Sequence, residues 1–376
     1  MAAERRNPAR IVYFSDAPWA GGAEKYLYLL ATNLERDVFE PAAIVNRNRR
    51  LDGFAASLRS ADVPVHEVSM NLPYSGSGVF EFINLLRRLR PSILHCNLPG
   101  PWGSQYSLVA PLARLAGVPH VVTTEHLPMV RPFWQGKLLR RLGGLWIERV
   151  ITVSDDNVGY LTSLYGVSRK KIRVVRIGIP DAVRDADAWI RRKCGIARDD
   201  FLCIMVGSLE ERKGHAFAFQ AMASLGGNVK LLVAGSGECE HDYRQMAAAL
   251  GIEGRVHFLG YRTDVETILK ECDALLCPST VEATPYCIIE AMAAGIPVIA
   301  SRVHGIPEIV VDGTTGILID PARSEELVAA IEALARNREI GSRMGESGRR
   351  RWEEAFRIER CIGETEAVYR ELLAIS

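Results

Sequence analysis

Short apolar, β-branched runs alternate along the chain with amphipathic stretches. Arg10–Ser15, Ser92–Cys96, His120–Thr124 and Arg149–Ser154 read as buried strands in the first half. Phe201–Val206, Val229–Ala234, Arg255–Leu259, Asp273–Cys277 and Pro297–Ser301 read the same way in the second. Helical patterns lie between them, such as Ala23–Leu34, where Leu27, Leu30, Ala31 and Leu34 form one apolar stripe, and the tail from Trp352 to Leu373 is also helical in pattern. Strand–helix alternation predicts parallel sheets covered by helices on both faces.

The strands are too many for one sheet of this kind. Two of them run into glycine-containing turns followed by a helix, one at Gly21-Gly22 and the other at Gly207 to Gly214. The pattern therefore predicts an α/β chain of two doubly wound, Rossmann-like domains. The expected division is 1–180, 181–353, and a C-terminal helix, 354–376, that crosses back to the first domain. The boundary is placed within Gly178–Asp200, a polar stretch with Pro180 and Gly195. Ligands of such sheets sit beyond the carboxyl ends of the strands, so a site in a central cleft faced by both domains is expected.

Composition supports a globular chain: of 376 residues, 48% are hydrophobic and 24% charged, too apolar for disorder. The net charge of +1 argues against a general polyanion or nucleic-acid binder. The halves differ. Residues 1–180 carry 23 basic and 14 acidic side chains, net +9; residues 181–376 carry 23 and 31, net −8. That asymmetry fits either an anionic partner for the first half or two solvated surfaces that attract each other. The eight cysteines are scattered, and the closest pair, Cys272 and Cys277, has no second pair at metal-ligand spacing. The opening MAAERRNPAR lacks the apolar core of a signal peptide. No run approaches the roughly 18 apolar residues of a membrane span. A cytoplasmic protein is expected.

The segment from Pro278 to Pro297 carries the clearest chemistry. Thr284 followed by Pro285 reads as an N-cap and a proline at the first helical position, and Gly295 then Pro297 as a stop. Glu282 lies before this short helix. Glu290 lies inside it, on a largely apolar stretch where a carboxylate needs a hydrogen-bonding partner. A ribose would supply one, because a carboxylate accepts two hydroxyls side by side. The free N–H groups of the helix start suit a diphosphate. Taken alone, Glu282 is better explained by pairing with an arginine.

The E-x7-E spacing of Glu282 and Glu290, with a small-residue helix ending in Ala-Gly-x-Pro-Val, resembles the signature of GT-B glycosyltransferases of family GT4, retaining enzymes that use sugar nucleotides. The resemblance spans nearly the whole chain. Gly21-Gly22-Ala23-Glu24 matches the N-terminal glycine loop, and Thr124-Glu125-His126 the strand-end histidine. Gly207 to Gly214, Gly235-Ser236-Gly237, Phe258-Leu259-Gly260 and Gly305-Ile-Pro-Glu308 match the second domain.

The resemblance implies roles. Lys213 would neutralise the donor diphosphate, Glu290 would bind the ribose, and Glu282 would contact the donor sugar. Backbone groups of Thr284, Pro285, Tyr286, Cys287 and Ile288 would face phosphates and sugar, although Pro285 has no N–H to give. Gly235 belongs to the donor site, and Gly260, Tyr261 and Arg262 would surround the base. In the first domain, Gly22 would let the backbone approach the donor and His126 would act near the transferring sugar, with His95 and Asn97 lining the acceptor side. His126, Lys213 and Glu282 are thus the expected catalytic set. Two departures stand out. Ser208 occupies the place of a phosphate-binding arginine, with Arg212 as a substitute, and Ile177 and Pro180 stand where the family has Asn and Asp.

The implied reaction is front-face transfer with retention, from a nucleoside-diphosphate sugar, UDP favoured over GDP, to a hydroxyl acceptor. No cofactor is expected beyond that co-substrate. No metal is expected either, since the one Asp-x-Asp, Asp185-Ala-Asp187, lies in the linker. Arg131 to Arg149 reads as a surface helix, with Trp134, Leu138, Leu142, Leu145 and Trp146 near one face and Lys137, Arg140 and Arg141 around it. It suits either packing on the sheet or contact with an anionic membrane surface. A sugar-nucleotide epimerase of the same architecture and a catalytically weak nucleotide-sugar-binding protein are the alternatives. A dinucleotide dehydrogenase is disfavoured because neither glycine turn reads G-x-G-x-x-G.

Overall fold

The computed structural model describes residues 7–69, 76–98, 104–127, 141–181 and 189–375. They fall into two compact units, Met1–Ile177 with Ile358–Ser376, and Gly178–Arg357. Each is a parallel sheet wrapped by helices, the α/β architecture that the pattern predicts.

The first unit holds β1 (Ala9–Ser15), β2 (Phe39–Asn46), β3 (Val65–Val68), β4 (Ile93–Leu98), β5 (His120–Glu125), β6 (Arg149–Thr152) and β7 (Ile172–Val174). Their order across the sheet is β3-β2-β1-β4-β5-β6-β7. Because side chains alternate along a strand, Val12 and Phe14 of β1 pack on one face with Phe82 and Leu86 from the helix Gly76–Leu89. Tyr13 points to the other face, where Tyr369 of the helix Ile358–Leu373 bonds its hydroxyl at 3.3 Å. That helix buries Ile358, Cys361, Ile362, Thr365, Val368 and Tyr369, one stripe at helical spacing.

The second unit holds β8 (Phe201–Val206), β9 (Val229–Ala234), β10 (Val256–Gly260), β11 (Ala274–Cys277), β12 (Val298–Ser301) and β13 (Gly316–Ile319), ordered β10-β9-β8-β11-β12-β13. Phe219 and Met222 from the helix His215–Ser224 and Leu327 and Ile331 from Ser324–Arg336 share a core with Met205 and Val233. The helix Tyr286–Ala294 is buried at every position from Cys287 to Ala293, consistent with its being apolar apart from Glu290 over that stretch. The helix Arg338–Ala355 closes over it through glycines: a Cβ on Gly345 would lie 2.0 Å from the Gly295 carbonyl oxygen.

Several expectations need correction. β2, β3, β7 and β13 go beyond the predicted strands. The tail is two helices rather than one, broken at Phe356, whose φ of −128° and ψ of 20° end the first of them. The helix expected over Arg131 to Arg149 does not run its length: Gly144–Trp146 is a 3-10 turn and β6 begins at Arg149. Gly143-Gly144 weakens helix there, as glycine does in any helix interior. Trp134, Lys137, Leu138 and Arg140, like Asp185 and Asp187, lie outside the described residues. No helix among the described residues is long and apolar enough to cross a membrane.

Candidate functional site

In the second sheet β9 and β10 lead away from β8 on one side, and β11 to β13 on the other. The strand order therefore reverses between β8 and β11, and the carboxyl ends of those two strands mark the usual ligand position in an open α/β sheet. Ser208, Arg212 and Lys213 follow β8, and Glu282 to Glu290 follow β11.

Glycines make these loops possible. Gly235, at φ +156°, follows β9, and a Cβ there would meet the Gly207 carbonyl oxygen at 1.8 Å. The Gly207 N–H donates to the Ala234 carbonyl at 3.0 Å, and the Gly235 N–H to the Gly260 carbonyl at 2.8 Å. Gly214 adopts φ +74°, and a Cβ on it would sit 2.0 Å from the Pro278 carbonyl oxygen. The Thr280 N–H donates to the Arg212 carbonyl at 2.8 Å. Backbone contacts thus lock the loop after β8 to the loop after β11.

Charge converges on this junction. Glu282 is buried, and its Oε1 accepts both the Lys213 ammonium and Nη1 of Arg212, the latter at 3.1 Å. Arg212 also donates from Nε to Glu210 at 2.8 Å. Burial works against the Lys213 ammonium, but the Glu282 carboxylate outweighs it and holds the pKa above that of an ordinary lysine. Burial likewise opposes the Glu210 carboxylate, but hydrogen bonding from Ser208 and the Arg212 charge bring it below the usual range. A chain of contacts therefore runs from Ser208 through Glu210, Arg212 and Glu282 to Lys213.

The helix after β11 starts one residue later than expected. Pro285 has ψ 124° and is the cap, so Thr284 is not an N-cap. Proline's fixed φ is tolerated at either place. The Ile288 N–H is committed to the Pro285 carbonyl at 3.2 Å, so it is not open to a ligand as expected. Glu290 is buried, and Cys287 hydrogen-bonds Cys277 thiol to thiol. Tyr261 is 71% exposed. Arg262 donates twice to Asp264, at 2.8 and 2.6 Å, and lies 5.2 Å from the Trp189 ring centre, so its side chain is already engaged.

In the first unit the strand order reverses between β1 and β4. Gly21-Gly22 follows β1 and opens the helix Gly22–Asn33. Glu24 fixes that turn, accepting the Gly21 N–H and the Ser15 hydroxyl, each at 2.9 Å. Asn97, on β4, donates to the Ala23 carbonyl at 2.7 Å and meets His126 Nε2 at 2.8 Å. His95 is fully buried, with Thr124 and Tyr369 on its two ring nitrogens. It holds the C-terminal helix and does not line an open surface, contrary to expectation. Burial depresses both His95 and His126 to a pKa of about 3.

Two family models match side by side: Glycosyltransferase Family 4 over residues 20–183, and Glycosyl transferases group 1 over residues 187–351. This chain is a GT4 glycosyltransferase. The N-acetyl-alpha-D-glucosaminyl L-malate synthase of Bacillus anthracis is 28% identical over 324 residues, 82% of this chain and 84% of that one. The D-inositol 3-phosphate glycosyltransferase of Mycobacterium tuberculosis strain H37Ra is 29% identical over 354 residues, 84% of this chain and 72% of that one. Among solved structures, Anabaena HepE in complex with UDP and glucose superposes with a TM-score of 0.83 at 20% identity, covering 96% of this chain and 100% of that one. The architecture of the glycosyltransferase is therefore GT-B.

Within the second unit of this glycosyltransferase, Ser208, Arg212, Lys213 and Glu282 come together through side-chain hydrogen bonds and ion pairs, with Gly235 and Gly260 bracing the loops. Glu210 and Thr280 escaped the sequence reading. A glutamate two positions before Arg212 was a usable signal for an ion pair. Thr280 had none, because its partner is a backbone carbonyl 68 positions away.

Proposed function

We propose that this glycosyltransferase takes its sugar from a nucleoside-diphosphate donor and passes it, with retention and without an essential metal ion, to a hydroxyl acceptor. The observation that carries the reading is the convergence of Arg212 and Lys213 on one buried oxygen of Glu282, at the point where the second sheet reverses. Two cations held by a carboxylate are a preformed cradle for a spread anion such as a diphosphate, and stabilising charge on the departing group is the largest lever on such a transfer.

Lys213 and Arg212 are assigned to the diphosphate, Arg212 standing in for the arginine that Ser208 replaces. Glu290 is assigned to the ribose, Glu282 to the sugar hydroxyls, and the main chain at Gly260 and Tyr261 to the base. Gly22 and His126 are assigned to the transferring sugar. The HepE complex with UDP and glucose supports a UDP-sugar. A membrane-facing acceptor is supported by the exposure of Leu142, Leu145 and Trp146 at 49, 69 and 39% on the basic half of the chain.

A donor panel tests the proposal. Purified protein is offered UDP-, GDP- and ADP-sugars, with thermal shift and release of nucleoside diphosphate as readouts. A shift and release with one base class is expected. Neither signal with any donor would refute the donor assignment, and activity lost to a chelator would refute the metal-free mechanism.

A further inference from the structure

One side chain bridges the point where the first sheet reverses. Asn97, near the carboxyl end of β4, donates from Nδ2 to the Ala23 carbonyl in the first turn of the helix after Gly21-Gly22. A carbonyl oxygen can only accept, so this bond decides which way the amide faces. Its Oδ1 then faces His126 Nε2, and that oxygen also only accepts. The hydrogen must therefore sit on Nε2. In a neutral ring the other nitrogen, Nδ1, is then bare.

The ring is neutral near pH 7 because burial holds its pKa at about 3. His95 on β4 is itself depressed to about 3 by burial, and Tyr26 meets the imidazole edge-on, with ring centres 4.8 Å apart.

We propose that Asn97 is a positioning residue of the transfer reaction: it locks His126 in the Nε2–H tautomer and ties the ring to the glycine turn, so that His126 offers a bare Nδ1 to a hydroxyl of the sugar. This rests on the assignment of His126 to the transferring sugar. It adds a direction to that assignment. His126 accepts a hydrogen from the sugar and donates none to the donor phosphates, and Asn97 makes the ring move with the turn that carries Gly22.

The test uses the full chain labelled with 15N-histidine. Two-bond proton–nitrogen spectra at neutral pH, with the His126 signals assigned by their loss in His126→Gln, should show a protonated Nε2 and a bare Nδ1. The opposite tautomer, or a doubly protonated ring, would overturn the proposal whatever the variants do. Asn97→Asp keeps an oxygen for Nε2, adds a charge that favours imidazolium, and cannot donate to Ala23. It should lower kcat by about tenfold or more and add a new acid limb to the pH profile, while donor KM stays within about twofold. An unchanged kcat and pH profile would overturn the positioning role. Wild-type turnover by His126→Gln would instead remove the sugar assignment beneath it and leave the tautomer standing, so the two failures are distinguishable.

Discussion

Lys213 and Glu282 close an ion pair across the point where the second sheet reverses, joining the loop after β8 to the loop after β11. The pair is largely buried, with 17% of the lysine side chain and 5% of the glutamate exposed. Lys213→Ala should cost about 10²- to 10³-fold in kcat, the loss typical of one preorganised transition-state donor. The fold should survive because Arg212 still holds the Glu282 carboxylate. Steady-state kinetics beside a thermal melt checks this. Wild-type turnover would remove Lys213 from the diphosphate.

The relay from Ser208 to Arg212 predicts a compensation. Arg212→Ala removes the second cation and should lower kcat/KM by about tenfold or more, a charged hydrogen bond being worth roughly 1.5–3 kcal/mol. Restoring an arginine by Ser208→Arg in the Arg212→Ala background should recover much of that loss. If the double variant is no better than Arg212→Ala, the two positions do not share a task.

Glu290→Gln keeps the size of the side chain inside a helix that is buried from Cys287 to Ala293, so packing should hold. Removing the charge should weaken free UDP by about 10- to 100-fold, on the same scale for charged hydrogen bonds. Titration calorimetry with the free nucleotide reads this without an acceptor. Unchanged affinity would take Glu290 out of the ribose site.

What the sequence reveals follows from how local the cause is. β8 is a continuous apolar run and β9 is interrupted only by Lys230, so both can be read directly. β2 carries Glu40 and Pro41 near its start, and β3 is half polar, with His66 and Glu67 at its centre, so pairing with their neighbours, rather than their own pattern, makes them strands. The site divides in the same way. The turn at Gly207 to Gly214 is a local signal. The bond from Asn97 to Ala23 joins residues 74 apart, and the clasp of Arg212 on Glu282 joins residues 70 apart, so neither has a local signature.

Buried histidines predict an acid-sensitive fold. His95 and His126 have pKa values of about 3 and His215 of about 4, all lowered by burial, against about 6.5 in an unfolded chain. Between about pH 6.5 and 4 the unfolded state binds protons that the folded state refuses, so stability falls as pH falls through that window and is flat above it. The carboxylates held below their usual range, such as Glu210, act only at lower pH. The urea midpoint should drop between about pH 7.5 and 5. His126→Gln should make the drop smaller. Equal midpoints at the two pH values would contradict the burial of these rings.

Gly214 separates two costs that glycine usually hides together. At φ +74° any other residue is strained by about 1–2 kcal/mol, and a Cβ there would also strike the Pro278 carbonyl oxygen at 2.0 Å. Gly251 is the control: it adopts φ +66° with nothing within 4 Å of its Cβ position. Gly251→Ala should therefore show the conformational cost alone, a modest fall in melting temperature with normal turnover. Gly214→Ala should fall further and lose activity, because relieving the clash must move the Lys213 loop away from the loop that carries Glu282. If the two variants melt alike and both turn over normally, the contact between Gly214 and Pro278 does not set the geometry of the site.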